Sequence, residues 1–454
     1  MELILDNLGR IEHAEIEIRP LTVFVGENNT NKTWAAYCLY GLARHLTWGH
    51  SLPLSGKFGH GFLPVEPDGV TQVVERAIRT TLDAAPKGAD IAQFQVRRRD
   101  LIGAIDERVR FVFEADRIRS LLRLQGELAT GSRAALVLTP DELISRESSA
   151  TIEINRPQRS VSVTLSAAKS TLDYVWQGNR GEPESTVDVY VANVLRTLAF
   201  RALAPGKIIA LPSERKALIA TYNMLRPEFE QVLPRPVVEF VELLKTLENI
   251  APAQSEIKLL DAVDHLESSI LKGNIRFHSV AAGVGLAYFL GTGGSLPMHA
   301  ASSLVRALAG LDIYLRYWAQ PGDLLIIDEP EMNAHPDAQF RITELLACLV
   351  NKGVRVVLTT HSPYVLDHLG TLVEASRLEA DARAGIVEKL RLKDHEALLE
   401  PEQLAVYRFG LDGQVTSIFD QKTRSMDTST FSDVGDAETN LFSDVLAAER
   451  RHAD

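Results

Sequence analysis

Cysteine is nearly absent from this chain of 454 residues. There are two, Cys38 and Cys348, each inside an apolar run. So few exclude a disulfide framework, and their spacing excludes a zinc site; both are expected as reduced core residues. Basic charge is also short: 48 Lys and Arg face 60 Asp and Glu, a formal net charge of −12. That argues against a broadly basic, non-specific DNA surface. The one basic cluster, Arg97 to Arg99, reads as a solvated face. No apolar run reaches the length of a membrane span, and MELILDNLGR lacks the basic and apolar regions of a secretory signal. Internal repeats and extended heptads are missing too. A cytoplasmic protein with no membrane contact is the expectation. At 45% hydrophobic and 24% charged residues the chain can bury two or three lobes, or one elaborated domain.

What is present begins at the N-terminus. Residues 1–25 alternate apolar and polar and end in the apolar run Leu21 to Val25, so they read as strands. Residues 49–70 are rich in Gly and Pro and read as a loop. Residues 70–130 carry helical apolar spacing, and 134–177 switch to period two, which predicts an antiparallel sheet. Residues 187–204 read as helix, Lys207 to Leu211 as a strand, and 216–272 as helices broken by Pro227, Pro234 and Pro236. Gly-rich residues 281–297 read as a flexible loop. Leu324–Asp328 and Val354–Ser362 are apolar strands flanking a helix, the unit that builds parallel sheets and places ligands at the strands' carboxyl ends. Residues 425–440 are polar and acidic and read as mobile, followed by a short helix at LFSDVLAAERR.

Between the third strand and the helix WAAYCLYGLARHL lies GENNTNKT, Gly26 to Thr33. A loop between strand and helix is the setting of a phosphate-binding loop, whose backbone N–H groups and helix N-terminus cradle an anion. Gly26, Asn28, Asn29, Thr30, Asn31, Lys32 and Thr33 are its candidate ligands. Lys32 is expected to reach the β- and γ-phosphates of ATP, and Thr33 to hold Mg²⁺. Asn31 stands where such loops have a second glycine; Asn is the non-glycine residue best able to adopt positive φ, so a formed loop is expected. Asp328, closing an apolar strand, is a second candidate Mg²⁺ ligand, and Glu329 a candidate base for the attacking water. His361, after another strand, is a candidate γ-phosphate sensor.

Together these segments resemble the ABC-type ATPase superfamily, in its RecF/SMC/OLD-like branch of AAA15- or AAA21-type ATPases. GENNTNKT resembles Walker A, LLIIDEPEMNAHP Walker B with the start of the D-loop, and TTHSPYVL the H-loop. The resemblance implies an α/β fold: an ABC-ATPase head with a mixed-sheet core, an antiparallel β subdomain and a helical insertion. It implies ATP and Mg²⁺ as cofactors and ATP hydrolysis, slow hydrolysis included. It places the family's signature at AASSLVRALAGLDIYL, where Ser302 and Ser303 would cap the γ-phosphate of a second subunit. The glycines of that signature are missing, and a Ser-capped helix packing through Leu304, Leu308 and Leu311 describes the same residues. Arg10 stands where relatives contact base or ribose. LPSERKAL resembles a Pro-x-x-Arg element, with Glu214 or Arg215 at a lobe interface or in a surface ion pair. No Q-loop glutamine is evident.

The expected organisation is a core at 1–60, a helical and antiparallel β insertion at 61–205, a helical lobe at 206–275, the rest of the core at 276–424 and an acidic tail at 425–454 with a short partner-binding helix. No Toprim, HNH or PD-(D/E)xK pattern is found, so an effector is expected on another chain. That arrangement resembles ATPase subunits of bacterial anti-phage defence pairs such as PARIS or Septu-like systems: a homo-oligomeric sensor, bridged by ATP, controlling a separate nuclease or toxin. The alternative is a RecF-like repair or maintenance ATPase that binds DNA.

Overall fold

The computed structural model describes residues 1–47, 91–97, 109–124, 127–138, 149–155, 160–165, 170–175, 206–226, 228, 231–250, 259–280, 283–423, 425–427 and 438–443. The loop expected at 49–70 and the helix expected at 187–204 lie outside them. The chain opens with β1 (Glu2–Leu8), β2 (Ile11–Glu17), β3 (Leu21–Gly26) and α1 (Lys32–Thr47). Next come β4 (Ile91–Arg97), β5 (Val109–Glu114), α2 (Ala115–Leu122), β6 (Arg133–Leu138), β7 (Ser149–Asn155), β8 (Ser160–Leu165) and β9 (Ser170–Val175). β10 (Ile208–Leu211) leads to α3 (Arg215–Thr221), α4 (Arg235–Ile250) and two short helical turns. Then follow β11 (Gly273–Val280), β12 (Gly283–Leu290), β13 (Ser295–Pro297), α5 (Ser303–Tyr317) and β14 (Leu324–Asp328). Then come α6 (Pro336–Asn351), β15 (Arg355–Thr360), α7 (Pro363–Ser376), α8 (Ala380–Val387), β16 (Leu404–Phe409) and β17 (Val415–Ser417).

A six-stranded sheet in the order β10-β14-β15-β3-β16-β17 organises the molecule. Its first five strands pair in parallel and β17 closes the edge antiparallel. Side-chain alternation decides what each face meets. Leu21, Val23, Val25, Leu325, Ile327, Val356 and Leu358 join one apolar cluster, with residues of α4, α5, α6 and α7. Phe24, Leu324, Ile326 and Val357 join the other, with α1 and the inner faces of β1, β2 and β6. A strand buried on both faces must be apolar throughout, which is why LLIID and LTVFV read so plainly. Three layers result: an antiparallel sheet with α1, the central sheet, and a layer of helices. Both cysteines are buried among them. The α/β class with a mixed-sheet core and antiparallel β parts is the architecture observed.

Four local expectations are corrected. Within 70–130, Ile91–Arg97 and Val109–Glu114 are strands, not helix. Val109, Phe111 and Phe113 recur at period two, and β5 gains a ladder to β6 that a helix could not offer. Ala134–Leu138 does not join the 149–175 strands; it lies in the sheet β2-β1-β6-β5, while β4-β7-β8-β9 forms a separate antiparallel sheet. Residues 283–297 are a hairpin paired with β11, with Gly283 and Gly285 inside β12 and Gly291, Gly293 and Gly294 at its turn, not a loose loop. Ser425 and Met426, expected in a mobile segment, pair with Asp420 and Phe419. Among the described residues no helix is long and apolar enough to cross a membrane.

Candidate functional site

The carboxyl ends of β3, β14 and β15 are adjacent in the central sheet, and the candidate residues gather there. β3 ends at Gly26 with φ +143°. A Cβ there would lie 2.2 Å from the Phe409 carbonyl oxygen of β16, so only glycine fits. The loop then turns through Asn29 at φ +63° and Asn31 at φ +65°. Asn31 thus takes the left-handed conformation that the missing glycine would take. Its carbonyl accepts from Ala35 N–H at 3.0 Å and starts α1. The Thr30 hydroxyl donates to the Glu27 carbonyl at 2.8 Å and tightens the turn. Asn28 and Asn29 are exposed on its rim.

Lys32, the first residue of α1, is only 5% exposed. Its ammonium donates to the carbonyls of Gly26 at 3.1 Å and Glu27 at 2.6 Å, and to the Thr30 hydroxyl at 3.3 Å. The loop therefore folds around this ammonium. Burial pulls the lysine pKa down to about 8, although the carboxylates of Glu329, Asp328 and Glu27 oppose the shift.

Thr33 and Asp328 are 295 positions apart in sequence and meet here. The Thr33 hydroxyl lies 3.1 Å and 3.2 Å from the two Asp328 oxygens. The Thr359 hydroxyl, from β15, also donates to Asp328. Asp328 is 3% exposed, so the pair forms an oxygen-rich point on a largely apolar strand end. Glu329 follows at φ +49°, a conformation costly for a side chain of this size. Its N–H donates to both the carbonyl and the hydroxyl of Thr359 at 3.1 Å. Burial raises the Glu329 pKa, and the neighbouring Asp328 charge adds to it. His361 Nε2 stands 3.5 Å from Glu329 Oε1. Burial, then the Lys32 charge, lower the His361 pKa, which favours neutral imidazole.

Two further residues shape the site: Arg215, which the sequence offered only as a lobe-interface or surface ion-pair residue, and Glu331, to which it gave no role. Arg215 is 1% exposed, which overturns the surface ion pair. Its guanidinium donates to the carbonyls of Pro212, Ala307, Asp328 and Glu329. It therefore clamps the strained end of β14 from behind and ties it to α5. The available signal was an arginine four residues beyond an apolar strand, a place where a buried cation meets strand-end carbonyls. Glu331 is the second. Its Oε1 accepts from the Thr360 hydroxyl and from His361 N–H, so it holds the β15 turn against the β14 turn. Its other oxygen is buried without a hydrogen-bond partner.

Arg10 and the two serines stand apart from this centre. Arg10 N–H donates to the Asn31 side-chain oxygen at 2.9 Å, which brings the β1–β2 turn to the loop. Ser302 caps α5, accepting from Val305 N–H at 3.3 Å, and Leu308 and Leu311 pack in the core. Among the described residues neither Ser302 nor Ser303 bonds to the Gly26–Thr33 loop; α5 is tied to the end of β14 by Arg215, which donates to Ala307, Asp328 and Glu329.

Residues 172–367 match a family model described as "AAA domain, putative AbiEii toxin, Type IV TA system". The matched stretch holds β14 and β15 with their turns and stops short of the N-terminal loop. A search of the curated proteins found no match. Similar solved structures include a Smc head bound to the C-terminal winged-helix domain of ScpA, at 12% identity over 92% of this chain and 96% of that one, with a TM-score of 0.36. Another is the SMC head domain from Thermotoga maritima, at 12% identity over 81% and 90%, TM-score 0.29. A third is a Pyrococcus furiosus Smc head domain with an extended coiled coil, bound to the C-terminal domain of ScpA, at 12% identity over 96% and 98%, TM-score 0.33. Likeness at that level decides nothing about the site. The glycine-led strand–loop–helix at Gly26–Lys32 and the hydroxyl–carboxylate pair at Thr33 and Asp328 thus lie beside β14 and β15, the part of the chain that matches the AAA-domain family model.

Proposed function

We propose that the protein binds and hydrolyses ATP with Mg²⁺ at the carboxyl ends of β3, β14 and β15. The observation that carries this reading is the convergence of Lys32, Thr33, Asp328 and Glu329 around the loop. Bound phosphates would replace the internal carbonyl contacts of the Lys32 ammonium, which is already placed at the mouth of an N–H-lined turn. Thr33 and Asp328 offer a hydroxyl and a carboxylate at one point, donors of the hard-oxygen type that Mg²⁺ takes alongside phosphate and water. Among the described residues no three His, Cys, Asp or Glu side chains gather as a metal cage, so this pair would hold the cation jointly with the nucleotide. Mg²⁺ there supplies charge neutralisation to the phosphates. Glu329, its basicity raised by burial and its backbone clamped by Arg215 and Thr359, takes the proton of the attacking water. Neutral His361, beside Glu329, is set to donate a hydrogen bond to the γ-phosphate.

At the level of biology we read the chain as the nucleotide-dependent sensor subunit of a bacterial anti-phage defence complex. Closure of two copies around ATP would control a separate nuclease or toxin. Support comes from the family description over residues 172–367 and from the acidic net charge, which disfavours the DNA-binding alternative. ATP binding by the purified chain, beside Lys32→Ala, tests the site: wild-type binding lost in the variant is expected, and equal affinity would sink the assignment. Co-expression with its genomic neighbour tests the role. Retention of a nuclease or toxin is expected; salt-sensitive duplex DNA binding without a retained partner would overturn it.

A further inference from the structure

The turn that follows β14 is strained at both ends, with Glu329 at φ +49° and Asn333 at φ +63°. Such conformations persist only where the surroundings hold them. Two backbone bonds close the turn, from Met332 N–H to the Glu329 carbonyl at 3.2 Å and from Ala334 N–H to the Glu331 carbonyl at 2.9 Å. The Glu331 side chain is 8% exposed, and its Oε1 reaches the turn after β15. There it accepts from the Thr360 hydroxyl and, at 3.3 Å, from His361 N–H. The Thr360 hydroxyl accepts in turn from Ser362 N–H at 3.0 Å, and the Ser362 hydroxyl donates to the side-chain oxygen of Gln339 on α6. Gln339 Nε2 returns to the Ala334 carbonyl at 3.0 Å. These bonds form a closed ring through the β14 turn, the β15 turn and the start of α6. Glu329 and His361 belong to the two turns it joins, and their side chains stand 3.5 Å apart.

We propose that Glu331 is a positioning residue for ATP hydrolysis: as an acceptor, not as a base, it pins the His361 backbone to the β14 turn and so sets the imidazole against Glu329. The inference rests on the reading that Glu329 and His361 act on the attacking water and the γ-phosphate. Glu331 itself is shut off from water. Its Oε1 is occupied by two donors, and its Oε2 is buried without a partner. What it supplies is one oxygen at one point between two turns. Without that oxygen the Thr360 hydroxyl and His361 N–H lose their acceptor, and the β15 turn is released from the strained one. Lys32, Thr33 and Asp328 are not members of the ring. Nucleotide binding is therefore kept while the geometry of imidazole and carboxylate is lost, and a loss of that kind falls on turnover.

Glu331→Gln keeps an acceptor oxygen in place, and Glu331→Met removes it at similar length. kcat and KM for ATP with Mg²⁺ are measured for wild type, both variants, Thr360→Val, His361→Ala and the double variant Glu331→Met with His361→Ala. In Glu331→Met kcat should fall about tenfold with KM little changed, and Glu331→Gln should restore it to within about twofold of wild type. Thr360→Val removes one of the two donors and should lower kcat by less. The double variant should be no slower than His361→Ala alone. Amide exchange at His361, followed by NMR without nucleotide, should be faster in Glu331→Met and in Thr360→Val but not in Glu331→Gln. Equal loss in the Gln and Met variants would make the carboxylate charge the working feature and overturn the proposal. A loss that falls on KM, additive effects with His361→Ala, or unaltered exchange at His361 would overturn it as well. If Glu331→Met does not fold, Thr360→Val and Glu331→Gln carry the same comparisons. A wild type without turnover would sink the hydrolysis reading itself, and exchange at His361, which needs no nucleotide, tells that failure apart from a failure of the pin.

Discussion

Burial shifts both Lys32 and Glu329 at the site, lowering the pKa of the lysine and raising that of the carboxyl. Lys32 has a pKa of about 8 in the folded chain against 10.5 in the open. The unfolded chain therefore binds more protons between those values, so free-protein stability should rise with pH across that window. Nucleotide works the other way. Phosphate favours the ammonium, so binding should take up a proton near pH 8, and affinity should fall as pH rises through it. Calorimetry at pH 8 in two buffers of different ionisation enthalpy reads that proton directly. No uptake by wild type, or equal uptake by Lys32→Arg, would refute the assignment to this residue. Glu329→Gln keeps the shape and the backbone contacts of a strained residue while removing its basicity. Turnover should drop about 100-fold or more with ATP still bound, as expected for loss of a general base; normal turnover would remove Glu329 from that role.

At the scale of elements, the site is a junction of strand ends, and Arg215 is what holds the junction shut. Among the described residues it connects β10, α5 and β14 through four backbone carbonyls. Arg215→Met fills the volume but leaves those four acceptors without their donor. Urea denaturation should show a clear loss, about 1–3 kcal/mol for each buried carbonyl left unpaired. A loss below about 1 kcal/mol would mean that water replaces the guanidinium at little cost. The same clamp gives α5 a mechanical tie to Glu329.

For the whole molecule, the arrangement of Ser302 and Ser303 makes the oligomer the quantity to watch. Among the described residues neither serine bonds to the Gly26–Thr33 loop, and Ser302 caps its own helix. ATP with Mg²⁺ should raise the native mass, most strongly in Glu329→Gln, where bound ATP is not consumed, and not in Lys32→Ala. Light scattering decides it, and a mass that ignores ATP in Glu329→Gln would refute closure around nucleotide. The sequence by itself determined the central strands, the loop and its order relative to Asp328 and His361. Strands buried on both faces must be apolar along their whole length, and a turn at positive φ admits few residue types. It also carried Asn31 as a glycine substitute, because that preference is local. Only the tertiary structure decided that Thr33 meets Asp328, that Arg215 is buried rather than paired at the surface, and that Asn31 reaches Arg10. Each of these joins segments distant in the chain. Such contacts are set by which strands lie side by side, and strand order leaves no mark on the spacing of residues within any one strand. The misread segment at Val109–Glu114 has the same cause, since its partner β6 is supplied from elsewhere in the chain.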